Sequence, residues 1–352
     1  MTTEQTLKLI RPNIASLKPY SSARSEFIGS GVALLDANEN PYSIWGDPGL
    51  NRYPDPLQRR VKQRIAELKG ILPQQLFLGN GSDEIIDLLI RCFCEPGKDE
   101  IAIFNPTYGM YSVCAAVNNV AVQSFQHNND FMIDAQYFLK TVNDSVKVVF
   151  ICNPNNPSGN TQPIETISKI IAEFKGIVVI DEAYIDFCTG KSVLPIISKY
   201  PNLVVMQTFS KAWALAGARI GLAAAVPELI QVLNKVKFPY NIGVPSFKAL
   251  EKAIANSTAK NIHIDEIINE RQRIFNILQE FPNVAKVYQS EANFILVKTS
   301  NADRIHRYLM EHGIISRNRS RDPLCENCLR ITIGIKTENA KLLGVWKNMK
   351  LD

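Results

Sequence analysis

Between Leu203 and Ala218 the only charged side chain is Lys211, set among Ala, Leu, Trp and Phe in "TFSKAWALAGARIG". Such an ammonium group has two uses. Its stem can pack on apolar neighbours while the head reaches water. Alternatively, desolvation strips its proton and leaves an amine able to form a Schiff base with a carbonyl. Polar residues at comparable places elsewhere bear on the choice. Asp181 ends the apolar run "IVVI", with Tyr184 three positions on. A carboxylate there is costly unless paired or hydrogen-bonded, and it can serve either as a helix cap or as a ligand contact. Ser210 precedes the lysine, and Arg219 lies eight residues after it. Gly81, Ser82 and Asp83 stand between a strand pattern and a helix pattern in "GNGSDE". Small residues there make either a capped tight turn or an anion site at a helix N-terminus. Tyr108 in "NPTYGMY" and Asn156 between the prolines of "NPNNPSG" also follow apolar runs, as loop residues or as ligand contacts.

These positions need a scaffold that brings them together. Short, β-branched, apolar runs at 76–79, 101–104, 146–152, 177–180 and 203–206 alternate with amphipathic stretches such as 83–93 and 163–175. That alternation predicts an α/β fold with a large, mostly parallel sheet and helices on both faces. Each polar set follows a run, so all five sets fall at strand C-termini and share one sheet edge, where ligands bind in such folds. After "KFPYNIGVPS" (237–246) the texture changes to a charged helical stretch (265–281), a strand at 293–299, a helix near 302–312 and a strand at 329–334. These predict a smaller α+β domain. The expected division is an arm over residues 1–30, free or packed on the small domain, a large domain over 31–245 and the small domain over 246–352.

The bulk composition sets limits on function. A chain of 352 residues with 46% hydrophobic and 21% charged side chains fits a two-domain globular protein. Net charge of +5, with no basic patch interleaved with aromatics, excludes nucleic acid as the expected partner. No run approaches the ~18 apolar residues of a membrane span, and the first twenty residues lack the apolar core of a signal peptide. Seven scattered cysteines form no disulfide framework and point to the cytoplasm. "CENC" (325–328) has no matching second pair, so no metal site is expected.

An imine-forming lysine, an acid for a pyridinium nitrogen and a phosphate cradle together describe a pyridoxal phosphate site. The same residues carry a resemblance. "SKAWALAGARIG" matches the S-K-x5-G-x-R-x-G pattern of the fold-type I, class I/II aminotransferases. "LKPYSSAR", "DANENPY", "NRYPDP", "GNGSDE", "NPTYGMY", "NPNNPSG", "DEAYIDF" and "CLRITIG" stand in family order over residues 17–334 and resemble the histidinol-phosphate aminotransferase family.

The resemblance implies roles for individual residues. Lys211 would hold the cofactor covalently and shuttle the proton between the substrate Cα and the cofactor, and Asp181 would keep the pyridine nitrogen protonated. Tyr184 and Asn156 would bond the 3-oxygen, and Tyr108 would stack on the ring. Gly81, Ser82, Asp83, Ser210 and Arg219 would form the phosphate cradle, with Thr208 nearby. Tyr53 would reach a cofactor phosphate across a homodimer with shared active sites. Arg330 would grip the substrate carboxylate and phosphate, with Arg317 and Tyr20 adding phosphate contacts and Tyr53 and Asn156 also meeting substrate. Arg319 and Arg321 are read as a solvated loop. The implied reaction is ping-pong transamination of L-histidinol phosphate with 2-oxoglutarate, giving imidazole acetol phosphate and glutamate. An aromatic amino acid aminotransferase or a phosphothreonine-type decarboxylase fits the same scaffold. A cofactor-binding regulator would need a fused DNA-binding segment, for which the thirty-residue arm is too short. The family often has a second asparagine after "PYN", where this chain reads "PYNIGVPS", which leaves fine specificity open.

Overall fold

The five apolar runs are all strands of one sheet. A computed structural model of the chain describes residues 1–20, 33–44, 46 and 49–349. Residues 21–24 of the "LKPYSSAR" match and the boundary set at 30–31 lie outside the described residues. The strands are β1 (Leu76–Asn80), β2 (Glu100–Asn105), β3 (Ala121–Gln126), β4 (Val146–Cys152), β5 (Ile177–Asp181), β6 (Leu203–Thr208) and β7 (Ile220–Ala224), in the order β1-β7-β6-β5-β4-β2-β3. Alternate residues point to opposite faces, so each central strand feeds two apolar layers. Val149, Ile151, Val178, Ile180 and Val205 enter one layer, and Val148, Phe150, Val179, Val204 and Met206 enter the other.

Two strands of this sheet were not expected. β3, "AVQSFQ", is a half-polar edge strand, and its mixed pattern carries no apolar run. β7, "IGLAA", is wholly buried, but small helix-favouring residues hide its strand character. β7 runs antiparallel to both β1 and β6, while every other pairing in this sheet is parallel. β1 therefore points the same way as β6. The C-terminal ends of β1, β2, β4, β5 and β6 share one edge, and the start of β7 joins them there.

Helices cover both faces. They are α1 (Thr3–Leu7), α2 (Pro12–Ala15), α3 (Arg59–Lys69), α4 (Gly81–Phe93), α5 (Met110–Val117), α6 (Ala135–Thr141), α7 (Ile164–Glu173), α8 (Pro227–Val236) and α9 (Val244–Ala255). α1 and α2 contact α8, and Ile14 is buried in the α4 and α5 layer. Residues 1–20 thus pack on the first sheet's body rather than on the carboxy-terminal part, because Leu7, Leu9, Ile10 and Ile14 supply an apolar stripe for that layer.

The second sheet is antiparallel throughout: β8 (Val284–Val287), β9 (Phe294–Thr299), β10 (Arg317–Asn318) and β11 (Cys328–Thr332), in the order β10-β11-β9-β8. α10 (Ser257–Gln279), α11 (Ala302–Glu311) and α12 (Lys336–Lys347) pack on it around Ile274, Leu278, Ile295, Leu309 and Trp346. α9 still gives Leu250 to the first sheet, and α10 passes from Lys260 and Ile264, beside Asp186, Tyr184 and Phe187, to Ile274 and Leu278 in the second body.

The two bodies are fastened beside the first sheet's functional edge. Gly159 O accepts from Glu291 N–H at 2.7 Å, Thr161 Oγ1 donates to Glu291 Oε2 at 2.7 Å, and Lys191 pairs with Glu291. Gly159 has φ +82°, and a Cβ there would collide with Ser290. Gly159→Ala is therefore expected to destabilise the protein by about 2–3 kcal/mol through backbone strain and overpacking. Chemical denaturation checks this, and an unchanged midpoint contradicts it.

Candidate active site

The shared edge encloses a cavity of about 130 Å³. Ser82 and Asp83 come from the first turn of α4, Tyr108 from the loop after β2, and Asn156 from the loop after β4. Asp181 and Thr208 end β5 and β6, and Tyr184, Ser210, Lys211 and Arg219 come from the turns that follow β5 and β6. Cys152, Ala183 and Ala216 complete the lining. Arg219 belongs here because β7 starts at this edge, a consequence of its antiparallel direction.

One end of the cavity is built for an anion. Gly81 adopts φ +74°, and a Cβ there would sit 2.6 Å from Arg219 Nη2. A Cβ on Gly221 would sit 2.6 Å from Ser82 N. These glycines let the α4 N-terminus, with its outward N–H groups, close against Arg219. Gly81 N donates to Arg219 O at 2.9 Å, and Arg219 Nη2 pairs with Asp83 Oδ2 at 3.2 Å. Arg219 holds a left-handed backbone at φ +54°. Ser82 Oγ is buried with no hydrogen-bond partner, although a buried hydroxyl normally finds one. A phosphate group accepting from Ser82, the helix N–H groups and Arg219 would satisfy it.

The other end holds the acid and the amine. Asp181 is buried, accepting from Tyr111 OH on Oδ2 at 2.5 Å and from Ala183 N–H on Oδ1 at 3.1 Å. Burial pushes its carboxyl up to about 6, against the pull of those two bonds. Burial lowers the Lys211 ammonium, and the Arg330 charge lowers it further, while Asp181 opposes both. Lys211 Nζ lies 5.7 Å from the Tyr184 ring centroid.

A polar chain leads from here to the second sheet. Asn156 Nδ2 donates to Tyr184 OH at 3.4 Å, and Asn156 Oδ1 accepts from Arg330 Nη1 at 2.5 Å. The Arg330 guanidinium lies 5.3 Å from the Phe294 ring centroid, and Tyr184 meets the same ring edge-on at 5.1 Å. Tyr108 donates to Asp83 Oδ1 at 3.1 Å, and burial holds its phenol above the ordinary range.

Other expected residues lie apart from the cavity. Arg317 stands directly opposite Arg330 in the β10–β11 register, at the rim of this polar chain. Tyr20 is 75% exposed and does not line the cavity. Tyr53 is also outside the lining, stacked on Tyr240 at 4.4 Å between ring centroids. Arg319 pairs with Asp322 and is largely buried, unlike the solvated residue expected, whereas Arg321 is exposed. Sequence reasoning missed Tyr111, Cys152 and Phe294. Tyr111 carried a signal, being one helical turn beyond Tyr108 in the stretch already singled out. Cys152 and Phe294 read as ordinary core.

Comparisons with known proteins converge on one group. The family described as aminotransferase class I and II matches residues 35–343. The histidinol-phosphate aminotransferase of Parabacteroides distasonis is 52% identical over 344 residues, 97% of this chain and 98% of that protein. That of Christiangramia forsetii is 48% identical over 345 residues, 97% of each. A crystal structure of histidinol-phosphate aminotransferase from Sinorhizobium meliloti in complex with pyridoxal-5'-phosphate superposes with a TM-score of 0.78 at 25% identity, covering 84% of this chain and 82% of that one.

The raised Asp181 carboxyl has a consequence for stability. Its ordinary value of 3.8 rises to about 6 on folding, so the folded state binds this proton more tightly than the unfolded chain does. The ligand-free protein therefore loses stability as pH rises from about 4 to about 6, and the whole penalty, about 3 kcal/mol, stands above that window. Asp181→Asn mimics the protonated acid and removes the penalty. The ligand-free variant is expected to melt above wild type at neutral pH, with the gap closing toward acid pH. Calorimetry across pH checks this, and a variant that melts lower at neutral pH contradicts it.

Proposed function

The chain belongs to the class I and II aminotransferases, and from that premise we propose that it transfers the amino group of L-histidinol phosphate to 2-oxoglutarate in histidine biosynthesis. Pyridoxal phosphate is the cofactor of this reading, and imidazole acetol phosphate and glutamate are the products. One observation carries the chemistry: Lys211, Asp181 and the unpartnered Ser82 hydroxyl meet in a single cavity. The substrate follows from relatives named for it that match nearly the whole chain.

The residues present fit the cofactor. Ser82, Asp83, Ser210, Arg219 and the N–H groups that begin α4 would hold its phosphate, with Thr208 Oγ1 fixing the turn by accepting from Ser210 N–H at 3.1 Å. Asp181 would hold a proton on the ring nitrogen, Tyr184 and Asn156 would bond the 3-oxygen, and Tyr108 would cover the ring. Bound there, pyridoxal phosphate supplies a carbonyl that condenses with amines and a ring that accepts the electron pair left at the substrate α-carbon.

Lys211 anchors the cofactor, and its lowered pKa favours the neutral amine needed to take the proton from the substrate α-carbon and return it. Arg330, with Arg317 beside it, receives the anionic groups of both substrates by paired hydrogen bonds. Tyr53 serves the partner's site in a homodimer, which would account for its place outside this chain's own cavity, and Tyr20 would add a hydroxyl at the substrate phosphate. The reading also sets the protein in the cytoplasm, supported by seven cysteines that are all free and buried.

The substrate panel of histidinol phosphate, phenylalanine and phosphothreonine, each with 2-oxoglutarate and read as glutamate formed, tests this function. The highest kcat/KM is expected for histidinol phosphate, and a clear preference for phenylalanine overturns the reading. Lys211→Ala should lose borohydride-fixed cofactor and drop kcat by roughly a thousandfold or more. Arg330→Ala should raise KM for glutamate and histidinol phosphate alike, by about a hundredfold, because both lose a charge-assisted pair.

A further inference from the structure

Asp181 is held by a side chain that does not itself line the cavity. Tyr111 of α5 is fully buried and donates its hydroxyl to Asp181 Oδ2. Its ring stacks on Phe150 of β4, with centroids 4.7 Å apart and planes 12° from parallel, and meets Tyr108 edge-on at 5.6 Å. With one face on Phe150 and the ring fully buried, the phenol is confined to this orientation. Burial and the Asp181 charge hold its proton far above the ordinary range, so it is a donor at neutral pH.

The other groups facing Asp181 act differently. Ala183 N–H bonds Oδ1. Lys211 after β6 and Asp83 at the start of α4 act through space and with opposite sign. Cys152 on β4, with Tyr108 and Tyr184, stays protonated beside the carboxylate. Two fixed donors, one on each oxygen, stop the carboxylate from turning about its bond to Cβ, and each oxygen keeps a lone pair for a third partner. Only one of these donors is a side chain.

We propose that Tyr111 is a positioning residue for the aminotransferase reaction: its hydroxyl orients Asp181 and keeps it ionised, so that Asp181 can hold a proton on the cofactor's ring nitrogen. This inference rests on reading the cavity as a pyridoxal phosphate site. A hydrogen bond from a neutral phenol favours the charged form of the acid it meets. Loss of the hydroxyl makes Asp181 a weaker holder of the ring proton. A ring that sheds its proton more easily would draw less charge from Lys211 Nζ, which would then keep its own proton to higher pH.

The test is a pH titration of the cofactor's visible absorbance in wild-type holoenzyme, Tyr111→Phe and Tyr111→His, with kcat and KM for glutamate. Tyr111→Phe keeps the stacked ring and should move the absorbance midpoint upward and cut kcat about tenfold with KM little changed. Tyr111→His, whose ring N–H can donate, should restore both in part. A wild-type midpoint and kcat in Tyr111→Phe overturn the proposal. So does a histidine variant as impaired as the phenylalanine one. Should Tyr111→Phe not accumulate as holoenzyme, recovery of cofactor and midpoint in Tyr111→His supports the proposal and failure there overturns it. Wild-type protein with no pH-dependent band and no borohydride-fixed group on Lys211 would instead refute the pyridoxal phosphate reading, and this inference with it.

Discussion

Asp181 ends β5 as a carboxylate only 3% exposed, and an ionised acid in that position costs several kcal/mol unless its surroundings answer the charge. Much of the edge is arranged around that demand. Tyr111 and the Ala183 N–H group bond its two oxygens, Phe150 fixes the tyrosine ring, and Lys211 supplies the nearby positive charge. The answer is incomplete without a ligand, since the acid still sits near pH 6 instead of in its ordinary range. On the proposed reading, a protonated ring nitrogen would bring the missing charge. The acid is thus a poor neighbour in the empty protein and a strong one in the loaded protein, the differential on which catalytic preorganisation depends.

Strand direction supplies the second constraint. Five parallel strands deliver their C-terminal loops to one edge, but a phosphate cradle also needs an arginine close to the α4 N-terminus. The antiparallel β7, slotted between β1 and β6, begins at that edge and so delivers Arg219 there. Gly81 and Gly221 then let the two backbones approach closely enough for the guanidinium to sit over the first helical turn. Direction places the arginine, and the missing side chains admit it.

Much of this was legible in the sequence. The β-branched runs announced the five central strands, and the polar sets behind them marked the edge, because buried parallel strands tolerate polar residues only at their ends. β7 stayed hidden because Ala and Gly carry no strand signal, although every residue in it is buried. Tyr111 was passed over because a tyrosine in a helix reads as core until its hydroxyl is seen to have a partner. Arg319 was read as solvated, since its Asp322 partner lies in a loop with no periodicity to mark it. Tyr53 and Tyr20 were understood through the family resemblance alone, and nothing in a single chain brings them to the cavity.

Asn156 stands between the two sheets with one hand on each, its Nδ2 toward Tyr184 and its Oδ1 taken by Arg330. In the resting protein one of the guanidinium's five N–H donors is already held by a neutral amide. A newcomer must therefore offer more than a hydrogen bond to displace it. A carboxylate or phosphate does so, because bonds between two charges are roughly twice as strong as neutral ones. On the proposed reading, an amine of similar shape with no anionic group would gain nothing from the exchange. The resting contact would thus favour amines that bring an anionic group to Arg330 over those that lack one.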